Sequence, residues 1–137
     1  TKFKKALIMR RKQYTEDEKI ASNAYSRLKS KVNYDLEKYW TRKDFIKWYV
    51  DKPQKCCYCQ CTKEQLDKFY ELTDSKRYVT RGKTLEIERK EDKEYSENNC
   101  EFSCYWCNNA KSDVFSPEEF QQIGEAIGRV IKDKIKL

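Results

Sequence analysis

Two cysteine pairs constrain this chain more than any other feature. The pairs are Cys56-x-x-Cys59 and Cys104-x-x-Cys107, and Cys104 follows Cys59 by 45 residues. Thiolate is the preferred ligand of structural zinc, and two such pairs supply the four ligands of a tetrahedral site. The separation exceeds the usual zinc-ribbon spacing, so we expect an inserted β-hairpin between the pairs. One Zn²⁺ would then clamp both ends of a single unit.

The remaining cysteines leave the ligand set partly open. The chain has seven cysteines, and this odd number argues against a closed set of disulfides. No export signal is visible, which also favours metal ligands over disulfides. Cys57 or Cys61 could replace a ligand of the first pair. Cys100 is expected to be a reduced thiol.

Composition explains why a metal would help this chain to fold. Its 137 residues fit one domain, with 38% hydrophobic and 39% charged residues. This balance predicts a thin core under a charged surface, and small domains of that kind often need a metal staple. No apolar run approaches the ~20 residues of a membrane span, so we expect no membrane partner.

The positive charge of the chain is concentrated in its first third. The formal net charge is +7, and residues 1–50 hold 14 Lys/Arg against 6 Asp/Glu. A segregated basic block predicts a polyanionic partner, although a solvated tail would have the same composition. We expect a basic helical DNA-contacting region at 1–50 and a zinc-bound core at 51–137, within one compact domain. The candidate DNA-binding residues here are Lys4, Lys5, Arg10, Arg11, Lys12, Arg27 and Lys31.

Capping signals predict three helices. Thr15 with Glu18 forms a capping box, Thr41 is an N-cap, and Ser116-Pro117 opens the last helix. The first helix has an apolar stripe at Ile20, Ala24, Leu28 and Val32. The second should bury Phe45, Ile46, Trp48 and Tyr49. The last has a stripe at Phe120, Ile123, Ile127, Val130, Ile131 and Ile135.

The middle of the chain predicts strands and a short helix. Two β-rich runs flank Arg81-Gly82 in "KRYVTRGKTLEIER" and indicate a β-hairpin. Residues 90–98 are too polar for a core element and should form a loop. A short helix should carry "CYWCNNAKSDVF". We therefore predict a small α+β domain, stapled by zinc and flanked by N- and C-terminal helices.

Three polar residues between the cysteine pairs could bind a second metal. Glu88 lies on the predicted strand, Asn99 follows the loop, and Asn108 lies on the short helix. Carboxylate and amide oxygens are hard ligands that suit Mg²⁺ or Mn²⁺. The placement between two zinc knuckles distinguishes them from ordinary surface residues.

This segment resembles the HNH (ββα-metal) endonuclease family in the stretches "CCYC", "EIER", "NNCEFSC" and "CYWCNNAKS". The resemblance implies that Glu88 is the metal-binding acid and Asn108 the second metal ligand. It implies that Asn99 braces the loop and orients the base. Arg89 stands where the family keeps its general-base histidine. Lys111 matches the lysine of the final motif and joins the candidate DNA contacts.

The chain contains no histidine at all, so its base must be another residue. A guanidinium stays protonated at any useful pH, and Arg89 is therefore a poor base but a good phosphate clamp. A tyrosine is the expected substitute. A phenol close to Arg89 and a metal ion would have a lowered pKa. We nominate Tyr25, which shares its predicted helix with Arg27 and Lys31.

The resemblance implies a metal-dependent endonuclease that acts on duplex DNA in the cytoplasm of a bacterium or an infected host cell. Matching residues outside the core favour a sequence-specific, restriction-type homodimer, whose two-fold axis would mirror a palindromic site. A phage-borne or homing-type nicking enzyme is the first alternative. The missing histidine leaves open a catalytically silent zinc module that binds nucleic acid. A purely structural zinc domain is the third alternative.

Overall fold

The computed structural model describes residues 13–73 and 84–136, together with Lys2. Its backbone contacts divide the chain into two compact units. The first comprises Thr1–Pro53 and Glu94–Asn98, and the second comprises Gln54–Lys93 and Asn99–Leu137. In the described ranges, no helix is long and apolar enough to cross a bilayer.

The described part of the first unit contains two helices, α1 (Glu16–Lys31) and α2 (Arg42–Asp51), with a 3₁₀ turn at Leu36–Lys38 between them. Both helices begin where the sequence predicts. The hydroxyl of Thr15 closes the expected capping box, and the hydroxyl of Thr41 accepts a hydrogen bond from the first turn of α2. These bonds satisfy amide groups that have no partner inside a helix.

The core of the first unit is largely aromatic. Tyr25 is fully buried and lies against Phe45, which in turn contacts Trp40. Ile20 was predicted to be in the buried stripe of α1, but it is 49% exposed. A spacing of four residues drifts by about 40° per step around a helix, so the first member leaves the buried face. The residues of α1 that are buried are Ala21, Ala24, Tyr25 and Leu28.

The second unit contains a ββα arrangement flanked by two further helices. Its elements within residues 54–73 and 84–136 are α3 (Lys63–Glu71), β1 (Glu86–Arg89), β2 (Cys100–Ser103), α4 (Tyr105–Lys111) and α5 (Pro117–Ile135). Strands β1 and β2 are antiparallel, with Glu88 opposite Glu101, and α4 packs on β1. The predicted α+β class is therefore confirmed.

Two parts of this unit differ from the prediction. The turn at Arg81-Gly82 and the strand before it lie outside the described residues. The following strand, β1, is paired with β2, which the sequence did not predict. Helix α3 was also missed, although Thr62 and Gln65 form a capping box at its start.

Helix α5 begins at Ser116 as predicted, but its packed face differs from the predicted stripe. Ile123 is 37% exposed and Val130 is 65% exposed. The buried positions are Phe120, Gly124, Gly128 and Ile131. A Cβ added at Gly124 would lie 2.6 Å from the Cβ of Tyr58, so the glycine allows α5 to rest directly on the first cysteine knuckle.

Candidate functional site

Four cysteine side chains of the second unit converge on one point. The Sγ atoms of Cys56, Cys59, Cys104 and Cys107 lie within 4.8 Å of one another, and all four residues are buried. The Sγ atoms of Cys59 and Cys104 are 3.8 Å apart. Tetrahedral Zn–S bonds of about 2.3 Å place two sulfurs at about this separation. The four residues could hold a metal ion, and soft thiolate donors fit zinc.

In both Cys-x-x-Cys pairs, which we call the first and second knuckle, a backbone amide points toward a cysteine sulfur. The amide of Tyr58 donates to the Sγ of Cys56 at 3.4 Å, and the amide of Cys107 donates to the Sγ of Cys104 at 3.4 Å. Such bonds stabilise negative charge on a thiolate. Cys104 is also the N-cap of α4, so the second knuckle and the helix begin together. No disulfide joins any of the seven cysteines.

The structure resolves the ambiguity over the remaining cysteines. The cluster consists of the two predicted pairs, without Cys57 or Cys61. Cys61 and Cys100 are buried and form no disulfide. Cys57 is half-buried, and its Sγ lies 3.3 Å from the ammonium nitrogen of Lys90.

Glu88 is a buried carboxylate with two different oxygens. Oε1 accepts a hydrogen bond from the hydroxyl of Tyr58 at 2.9 Å and lies 3.1 Å from the ammonium nitrogen of Lys111. Oε2 is buried and has no hydrogen-bond partner among the described residues. A buried, unpartnered carboxylate oxygen is costly, because it has lost its water. A cation bound at Oε2 would remove that cost.

Asn108 lies on the face of α4 that meets β1. Its amide nitrogen donates a short hydrogen bond to Oε2 of Glu86. Because alternate residues of a strand share a face, Glu86 and Glu88 lie on the same side of β1. Asn108 and Lys111 are three residues apart on one side of α4. Two polar contacts therefore join the helix to the strand: a hydrogen bond between Asn108 and Glu86, and an ion pair between Lys111 and Glu88.

Asn99 holds the loop that connects β1 to β2. Its side-chain oxygen accepts hydrogen bonds from the amides of Glu91 at 2.9 Å and Asp92 at 3.0 Å, and its amide nitrogen donates to the carbonyl of Asp92 at 2.9 Å. Asn99 is itself buried. The exposed Arg89, at the end of β1, donates a short hydrogen bond to the carbonyl of Lys93 in the same loop. The loop therefore fixes the guanidinium at the surface.

Tyr58 was missed by the sequence analysis. It is fully buried, its ring packs edge-on against Phe120, and the ammonium nitrogen of Lys90 lies 4.2 Å from its ring centre. Burial, followed by the hydrogen bond to Glu88, raises the pKa of the Tyr58 phenol above its ordinary value. The signal was present in the sequence, because a tyrosine stands inside the first knuckle, but nothing in the sequence places it beside Glu88.

Tyr25, the tyrosine nominated as the base, lies in the aromatic core of the first unit. Its hydroxyl donates to the carbonyl of Trp40 at 2.7 Å, and its side chain is fully buried. Burial is the largest cause that raises the pKa of Tyr25, and the neighbouring Glu37 raises it further. The guanidinium of Arg42 opposes this shift only in part. The pKa of this phenol is therefore raised in the protein without a metal ion, and the role of Tyr25 as the base stays a prediction.

The candidate DNA contacts fall into three groups. Arg27 and Lys31 are exposed on α1, one turn apart. Lys111 is buried in the ion pair with Glu88, so its positive charge is compensated by that carboxylate. For all of these residues, contact with DNA remains a prediction. The others lie outside the described residues, namely Lys4, Lys5, Arg10, Arg11 and Lys12.

A comparison with protein-family models finds no match, and neither does a comparison with curated protein sequences. Among solved structures, the chain is similar to the rare-cutting HNH restriction endonuclease PacI. The TM-score is 0.61 at 25% sequence identity, and the similarity covers 86% of this chain and 89% of that one. Together with the ββα arrangement and the cysteine cluster, this similarity confirms the chain's resemblance to the HNH endonucleases.

Proposed function

We propose that this protein is a metal-dependent endonuclease that hydrolyses phosphodiester bonds in duplex DNA. The observation that carries the proposal is the buried carboxylate of Glu88. One of its oxygens is held by Tyr58 and Lys111, and the other has no partner in the described part of the chain. A carboxylate close to DNA phosphates would repel them unless a cation lay between. A module that only binds DNA has no need of this arrangement.

Glu88 and Asn108 are the residues that would hold the catalytic ion. A carboxylate oxygen and an amide oxygen suit Mg²⁺ or Mn²⁺, with water and phosphate completing the shell. A divalent ion bound there would polarise the scissile phosphate and stabilise the departing oxygen. Lys111 keeps the buried Glu88 charge compensated before the ion arrives.

We assign to Tyr58 the role that the missing histidine has in the family. Its hydroxyl already contacts Glu88 at 2.9 Å, so the phenol lies beside the proposed metal site. From there it can orient the attacking water and accept its proton. The raised pKa of the phenol in the ion-free protein means that little phenolate is present at neutral pH. A divalent ion next to Glu88 would lower that pKa and thereby activate the tyrosine.

Arg89 and Asn99 complete the proposed machinery. Arg89 would bind the scissile phosphate with its exposed guanidinium, which forms strong paired hydrogen bonds with phosphate oxygens. Asn99 would keep the loop, and with it Arg89, in place through its three hydrogen bonds to Glu91 and Asp92. Neither residue needs to change its protonation state during the reaction.

The other proposals concern the structural metal and the assembly. We propose that the cysteine cluster holds Zn²⁺ and that the basic first third supplies most of the affinity for DNA. PacI is a rare-cutting restriction endonuclease that perturbs DNA, and the similarity covers most of both chains, which supports sequence-specific cleavage of DNA. We propose that a homodimer cuts both strands, because a two-fold axis would match a palindromic site. A nicking enzyme is the alternative within the same class.

A plasmid assay tests the activity directly. Zinc-loaded protein is incubated with supercoiled plasmids from a library of sites, with Mg²⁺, with Mn²⁺ or without either ion. We expect cleavage only with a divalent ion, and linear product ahead of nicked circles if the enzyme is a dimer. Glu88→Gln, which keeps the side-chain shape, should bind DNA but leave it intact. If the unaltered protein retards DNA and never cuts it, the silent-module alternative is correct.

A further inference from the structure

The two polar pairs between α4 and β1 have an asymmetry that bears on the metal site. In the first pair, the amide nitrogen of Asn108 donates to Oε2 of Glu86. In the second, the ammonium of Lys111 contacts Oε1 of Glu88. Both carboxylates come from the same face of β1. Only Glu88 matches a metal ligand of the HNH family, so Glu86 has no role in the chemistry proposed above.

The chemistry of the first pair fixes the orientation of an amide. A side-chain amide has one donor end and one acceptor end, and a rotation of 180° about its last bond exchanges them. A carboxylate can only accept hydrogen bonds. Glu86 therefore holds the nitrogen of Asn108, and the amide oxygen is left as the end that can bind a cation. Without Glu86, nothing in this pair would prevent the donor end from turning toward the metal site.

We propose that Glu86 is a positioning residue, which fixes the Asn108 amide so that its oxygen serves as a metal ligand. This inference rests on the proposed metal site of Glu88 and Asn108. Its counterpart in other metalloproteins is the group that orients a ligand without touching the ion, and loss of such a group typically weakens metal affinity by about 10- to 100-fold. The sequence signature is the first glutamate in "EIER", two residues before Glu88.

Titration of zinc-loaded protein with Mn²⁺, followed by the electron paramagnetic resonance signal of free Mn²⁺, tests the proposal without DNA. Glu86→Ala should weaken Mn²⁺ binding by roughly tenfold or more. Glu86→Gln should restore most of the affinity, because its amide oxygen can still accept from Asn108. Asn108→Ala should weaken binding at least as much as Glu86→Ala. The double variant should be no weaker than Asn108→Ala alone, because Glu86 acts through Asn108.

Two results would overturn the proposal. Equal losses in Glu86→Gln and Glu86→Ala, with additive effects in the double variant, would make Glu86 a direct ligand or a charge partner of the ion. Unchanged Mn²⁺ affinity in Glu86→Ala would show that Glu86 has no role in metal binding. Zinc content and circular dichroism of each variant show that the fold is intact. Glu88→Gln tests the proposed function separately: if it binds Mn²⁺ as well as the unaltered protein, the metal site itself is wrong, whatever Glu86 does.

Discussion

The cysteine centre and the Glu88 centre are adjacent in the chain, at Cys107 and Asn108, yet they are built in opposite ways. The first has four identical soft donors, all buried and all within 4.8 Å of one another. The second has two different hard donors, the carboxylate of Glu88 and the amide of Asn108. A protein side chain holds one end of each group, and Oε2 of Glu88 has no partner among the described residues. A complete protein shell is typical of a structural metal, and an incomplete one is typical of catalysis. On the proposed function, helix α4 thus carries a structural metal centre and a catalytic centre side by side.

The comparison predicts that a substitution in the cysteine centre affects folding. Cys104→Ser should release the metal and unfold the second unit, because metal binding and folding form one equilibrium in a domain with a thin core. We expect the change in metal content, measured by atomic absorption, to coincide with loss of the circular dichroism signal. Cys57→Ser is the matched control, since this thiol lies outside the cluster, and it should keep both. A folded, metal-bound Cys104→Ser protein would contradict the assignment.

Damage to the second centre should affect turnover and leave the fold intact. Tyr58→Phe keeps the ring that packs on Phe120 and removes only the hydroxyl. Loss of a general base typically costs about 10²- to 10⁴-fold in rate, and we expect single-turnover cleavage to fall in that range. Tyr39→Phe, at a tyrosine that is 51% exposed, should cleave normally. Equal rates for both variants would exclude Tyr58 as the base.

The pH dependence sharpens the same prediction. A chain without histidine should show no inflection of the cleavage rate near ~6.5. The pKa of Tyr58 is raised, so its phenolate fraction is small at neutral pH and grows as the pH rises. The logarithm of the rate should therefore climb steadily from pH 6 to pH 9 in the unaltered protein, and Tyr58→Phe should flatten that slope. A bell-shaped profile centred near neutral pH would point to a different pair of groups.

Arg89 should affect the transition state more than the binding of uncut DNA. Arg89→Ala should lower turnover by roughly 100-fold, the usual effect of removing one electrostatic contact to a transition state. The dissociation constant for uncleaved DNA should change by only a few-fold. Arg129→Ala, at an exposed arginine of α5, serves as the control. A loss of affinity as large as the loss of turnover would make Arg89 a general DNA contact.

The last prediction concerns the salt dependence of DNA binding by the basic first third. Neutralising Lys4, Lys5, Arg10, Arg11 and Lys12 together should reduce the slope of log affinity against log salt concentration by roughly 0.9 for each phosphate that the variant no longer neutralises. Fluorescence anisotropy with uncut DNA measures that slope. The control replaces Lys68, Lys134 and Lys136, which are exposed and lie in the second unit. An unchanged slope would show that the N-terminal arm does not contact phosphate.

Local signals in the sequence predicted local structure well. Thr15, Thr41 and Ser116 each cap the expected helix, because a cap depends only on residues within one turn. The four cysteines were also predictable, because thiolate chemistry leaves few alternatives. Strand β2 escaped prediction because four residues are too few to show a period.

Contacts between distant residues could not be predicted. Tyr58 meets Glu88 across 30 residues of sequence, and nothing near either residue indicates the pairing. Tyr25 was chosen for its neighbours in the sequence, and these are not its electrostatic neighbours in space. The packed face of α5 was misassigned for a different reason. Apolar periodicity counts side chains, whereas this helix makes its closest approach through glycines.

That close approach has a consequence for the order in which the parts of the second unit can assemble during synthesis. The knuckle with Tyr58 leaves the ribosome long before α5, whose Gly124 and Gly128 later rest on it. A nascent chain that stops before Ser116 lacks the surface that backs the tyrosine. If Tyr58 is the general base that we propose, a chain without α5 should not cleave DNA, because the surface that backs this tyrosine is missing.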